Sequence, residues 1–68
     1  MNSEVTRRLL DACDDPYNEV KIAAAYGLGE GGSTSSEVIN KLLQLSRNPY
    51  NEVKVAALMA LGRIHRNK

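Results

Sequence analysis

Pro16-Tyr17-Asn18-Glu19-Val20-Lys21 and Pro49-Tyr50-Asn51-Glu52-Val53-Lys54 are the same six residues, 33 positions apart. The repetition widens on both sides. Ser3-Glu4-Val5 with Leu9-Leu10 returns as Ser36-Glu37-Val38 with Leu42-Leu43, and Ala23-Ala24 with Leu28-Gly29 returns as Ala56-Ala57 with Leu61-Gly62. Between residues 3–30 and 36–63, 15 of 28 aligned positions are identical. A fixed period of about 20–50 residues marks a stacked array, in which each unit buries its apolar face against the next. The expected organisation is one domain over residues 1–68, built from repeat one, 3–32, and repeat two, 35–66.

Within each unit the apolar spacing is helical. Val5, Leu9 and Ala12 fall at i, i+4, i+7, widened by Leu10 and Cys13, and Ser3 is the expected N-cap. Pro16 stops this helix, because the residue before a proline is pushed out of the α region. A second helix starts near Asn18, whose side chain is placed to cap it, with Glu19 in the positive first turn. Val20, Ala24 and Leu28 form its stripe until Gly29-Glu30-Gly31-Gly32. Ser35 or Ser36 caps a third helix on Val38, Leu42 and Leu45, with Ile39 and Leu43, and Asn48-Pro49 ends it. The fourth runs from about Asn51 to Arg66 on Val53, Ala57, Leu61 and Ile64, with Arg63, His65 and Arg66 where the last carbonyls are free. The predicted core is Leu9, Leu10, Val20, Leu28, Val38, Leu42, Leu43, Val53, Leu61 and Ile64.

Composition fits this picture. Of the 68 residues 43% are hydrophobic, with neither Phe nor Trp, so the core is aliphatic and suited to close helix packing. The net charge of +1 gives no electrostatic case for nucleic acid, but its distribution is uneven. Residues 1–34 sum to −3 and residues 35–68 to +4. Cys13 is the single cysteine, with Ser46 as its counterpart, so no internal disulfide can form and a reducing cytoplasm is expected. A packed thiol is the simpler reading of Cys13. The longest apolar run, Val55 to Leu61, is seven residues, so neither a signal peptide nor a membrane span is expected.

The second helix of each unit reads Asn-Glu-Val-Lys-x-Ala-Ala-x-x-x-Leu-Gly after an Asx-Pro break. This resembles the HEAT-like repeat, and the match covers essentially the whole chain. The Gly29-Glu30-Gly31-Gly32-Ser33 turn is similar to that of proteasome/cyclosome repeats, which are also helix pairs and a near alternative. The resemblance implies an all-α solenoid of two helix-pair repeats with four helices. In HEAT-like units an acidic residue before the second helix pairs with the basic residue one unit away. Asp15 keeps the acid and Asn48 does not, so that ladder is incomplete here.

No catalytic, cofactor or metal set emerges. His65 is the only histidine and sits on the last turn among arginines. Asp11, Asp14, Asp15 and Glu19 lack the spacing of an ion-binding loop, and the glycines from Gly27 to Gly32 follow a helix instead of a strand. Arg47, Lys54, Arg63, Arg66 and Lys68 with Tyr50 would suit nucleic acid, but the acidic first half and near-neutral total oppose it. Partner-binding candidates come from the helix geometry. With Val20 inward at about 100° per residue, Ile22 lies about 200° away and Tyr26 about 240°, and their counterparts are Val55 and Met59. The resemblance puts these positions on a concave surface, flanked by Glu30 and Arg63. The expected function is a non-enzymatic protein-interaction or assembly module that self-associates. The alternatives are an accessory enzyme subunit, as in HEAT-like bilin lyases, and a nucleic-acid-binding module.

Overall fold

A computed structural model describes residues 2–66. It contains four helices, α1 (Ser3–Ala12), α2 (Asn18–Gly31), α3 (Ser36–Leu45) and α4 (Asn51–Arg66), and no strand among the described residues. α1 packs on α2 and α3 on α4, and the most extensive contact is between the two second helices, α2 and α4. The fold is the all-α stack of two helix pairs that the repeat requires.

The helix starts show where local chemistry differs from the sequence reading. Asn2, not Ser3, caps α1, its side-chain oxygen accepting the Val5 N–H at 2.8 Å. Asn18 does not cap α2. It is already the first helical residue, and the cap position, Tyr17, makes no side-chain cap bond. The side-chain oxygen that organises this turn belongs to Asp15, which accepts the Tyr17 N–H at 2.9 Å. Asn48 does the same for Tyr50 at 2.9 Å. Each Asx-Pro break is thus an Asx turn across the proline, and Asp and Asn serve it equally well. Ser35 caps α3 by accepting the Val38 N–H at 3.3 Å. Gly32 ends α2 in the left-handed region at φ 68°, where its N–H donates to the Leu28 and Gly29 carbonyls at 3.2 Å.

Leu10, Leu28, Val38, Leu42, Val53 and Ile64 are buried as predicted, joined by Cys13, Leu45 and the alanines at 24, 25, 56, 57 and 60. Leu9 and Leu61 are partly buried against this core, and Val20 is half-buried. Leu43 is a correction: it is 47% exposed although its repeat counterpart Leu10 is 3% exposed. The difference is positional, since Leu10 is buried inside the stack while Leu43 lies on its outer side.

The alanine-rich contact between α2 and α4 brings the two backbones close together. A Cβ added at Gly29 would lie 2.8 Å from the Ala60 Cα and 2.9 Å from its Cβ, so glycine is required there by close approach.

Candidate interaction surface

The tight α2–α4 contact sets equivalent residues of the two units side by side. Tyr26 and Met59, 33 positions apart, meet with the Tyr26 hydroxyl 3.9 Å from the Met59 sulfur. One turn further on, Arg63 Nη1 lies 2.8 Å from a Glu30 carboxylate oxygen. Tyr26 is 41% exposed, Val55 50% and Met59 49%. Ile22 differs from its counterpart Val55: it is partly buried against the core, because α4 covers that side of α2 while the same side of α4 is uncovered. Four of the six candidates therefore form two cross-repeat pairs, Tyr26–Met59 and Glu30–Arg63. Val55 is free and Ile22 contributes mainly to packing.

Two further ion pairs cross between the units on the opposite edge. Arg7 on α1 meets Glu37 on α3 at 2.9 Å, and Lys41 on α3 reaches Asp14 at 3.1 Å. The acidic partner is Asp14 and not Asp15, whose carboxylate is occupied by the Asx turn. The resemblance implies a ladder through the residue before the second helix, whereas these bonds tie α3 to α1 and to the turn that follows α1. Arg7, Glu37 and Asp14 are solvent-exposed and Lys41 is partly buried, so such pairs are worth about 0–1 kcal/mol each and serve alignment more than stability.

Cys13 is fully buried, and that burial pushes its thiol up to about 11 from the ordinary 9.0, with Lys41 opposing the rise. It is packed and held in the unreactive thiol form. Among the described residues there is no cavity, and no group of three His, Cys, Asp or Glu is placed to hold a metal ion. No helix among them is long and apolar enough to cross a membrane.

The family model for HEAT repeats matches residues 6–68. The chain belongs to the HEAT repeat family. Comparisons with curated proteins and with solved structures gave no match. HEAT repeats generally serve protein–protein interaction and scaffolding and are typically non-enzymatic, which directs attention to the exposed surface of this HEAT chain.

Proposed function

We propose that this chain is a non-enzymatic protein-interaction module, acting in the cytoplasm, that binds partners on the strip formed by Tyr26, Val55 and Met59 with Glu30 and Arg63 at its rim. The observation that carries the reading is the Tyr26–Met59 pair: two large side chains, one rigid and one adaptable, left in solvent next to each other by the repeat geometry. Tyrosine offers a rigid apolar body with a polar tip, and the neighbouring ion pair supplies polar contacts of both signs at the edge. Ile22 backs the strip from the partly buried side. The module also self-associates, its acidic first unit favouring the basic second unit of another copy. Nucleic acid fits less well, since Arg63 is engaged by Glu30 and Lys41 by Asp14. A role as an accessory enzyme subunit has no cavity among the described residues to support it.

The test is a peptide-display selection against the wild-type chain, with ranking of binders on the folded Tyr26→Ala/Met59→Ala variant. Binders that lose most of their affinity for the double variant support the strip. Binders indifferent to it place recognition elsewhere.

A further inference from the structure

Residues related by the 33-position repeat do not share the same burial, and the differences fall on two outer faces. On the second unit, Leu43, Leu58 and Gly62 are uncovered, while their counterparts Leu10, Ala25 and Gly29 are buried. Leu58 is 57% exposed where Ala25 is fully buried, and nothing lies within 4 Å of a Cβ built on Gly62, where the same atom on Gly29 would strike Ala60. On the first unit the reverse holds. Val5 and Ala23 are exposed, and their counterparts Val38 and Ala56 are fully buried. One end of the molecule therefore repeats the surface that α1–α2 turns toward α3–α4, and the other end repeats the surface that receives it.

We propose that two copies of this chain stack head to tail, the outer face of α3–α4 in one copy seating the outer face of α1–α2 in the next. This deepens the self-association proposed above; the contact is centred on Leu58 and Ala23, and by the same repeat Met59 of one copy meets Tyr26 of the next at the edge of the strip. The occupant is a second copy because its exposed first-unit face is related by the repeat to the surface already packed on α2 within the chain. The sizes are compatible. Where Gly29 meets Ala60 within the chain, Gly62 meets Gly27 of the second copy, so the two helices can approach at least as closely there. Charge favours this arrangement over a contact between two second units, since residues 35–68 sum to +4 and residues 1–34 to −3.

Carrying the intramolecular ion pairs over by 33 residues gives the local detail. Arg63 falls opposite Glu30 of the second copy, repeating an existing pair with its order exchanged. Asn40 falls opposite Glu4, a neutral contact. Arg47 falls opposite Arg8, in the slot where Asp14 meets Lys41. That like-charge contact limits the affinity and offers a handle on it. Because each added copy leaves one face of each kind open, association continues beyond the dimer unless a ring closes.

The experiment is sedimentation of the full chain over a concentration series at low salt, with circular dichroism confirming that each variant is folded. The wild type should gain mass with concentration. Leu58→Asp and Ala23→Asp, both at exposed positions, should each be monomeric alone and form a one-to-one dimer when mixed, because each retains the face the other lacks. Arg47→Asp should tighten wild-type association by about 3–10-fold by turning the like pair into an opposite one. A peptide selected on the strip should still bind the monomeric Leu58→Asp variant, which keeps Tyr26, Val55 and Met59, so a failure of the strip and a failure of the stacking faces are distinguishable. A wild type that stays monomeric at the highest concentration would overturn the proposal. So would a Leu58→Asp defect with no Ala23→Asp defect and no rescue on mixing, which is the signature of two second units meeting face to face.

Discussion

Alanine substitution at Gly29 and at Gly62 provides a comparison within one molecule, because the two glycines are equivalent by sequence and opposite by environment. In each helix interior, replacing glycine by alanine contributes about 0.5–1 kcal/mol of stability by reducing the freedom of the unfolded chain. At Gly62 nothing opposes this, since no atom lies within 4 Å of the new methyl. The expected result is a gain of about 0.5–1 kcal/mol. At Gly29 the methyl would sit 2.8 Å from the Ala60 Cα and 2.9 Å from its Cβ, so relief requires α2 and α4 to part. Overpacking of this kind costs roughly 1–3 kcal/mol, and more when backbone must move. Net destabilisation of about 1–2 kcal/mol follows. For a chain of this size each kcal/mol moves Tm by about 4–8 °C, so Gly29→Ala should lower Tm by about 5–15 °C and Gly62→Ala raise it by about 2–8 °C. Thermal unfolding followed by circular dichroism at low concentration, where self-association does not contribute, reads both. Shifts of the same sign at the two positions would refute the close α2–α4 approach.

Leu42→Ala should cost about 2–5 kcal/mol because Leu42 is fully buried, whereas Leu43→Ala should cost under about 1 kcal/mol; urea unfolding of the two neighbours decides it. Tyr26→Ala/Met59→Ala should leave Tm within a few degrees while weakening a strip-dependent ligand by about 1–2 kcal/mol, and unfolding of the double variant would make those side chains structural. Cys13 should contribute a pH dependence. Its folded pKa is raised, so the native state holds its proton longer than the unfolded chain, and stability present below 9.0 is lost as pH rises toward about 11. Denaturation at pH 8 and pH 10.5 should show a smaller loss in Cys13→Ala than in wild type.

The repetition itself carried most of the fold. Two copies of Pro-Tyr-Asn-Glu-Val-Lys between helical stripes were enough to place four helices, and the Asx-Pro breaks fell where the chain turns. A repeat makes equivalent residues look alike, and that is also where the reading failed. Leu43 copies Leu10, and the pattern places both in the core, but burial depends on whether another unit covers the position, which identity cannot encode. Ile22 and Val55 differ for the same reason. Of the candidate surface, the direction of Tyr26 and Met59 was legible from helix geometry. Their contact, and the Glu30–Arg63 pair, required the distance between α2 and α4, which rests on small residues from both helices. The exchange of Asp15 for Asp14 in the cross-repeat pairing was hidden because carboxylates one residue apart divide between a local turn and a distant lysine only once the backbone is fixed.

The second helices lie side by side in repeat register, with Tyr26 against Met59 on an open surface. Nuclear Overhauser contacts in the isolated chain test this most directly. The predicted spectrum links the Met59 methyl to the Tyr26 ring and the Ala60 methyl to the Gly29 α-protons, with no intramolecular side-chain contact to the Gly62 α-protons from outside α4. A spectrum lacking the first two, or pairing Met59 with residues of another turn of α2, would contradict the register on which the strip and the stacking faces both depend.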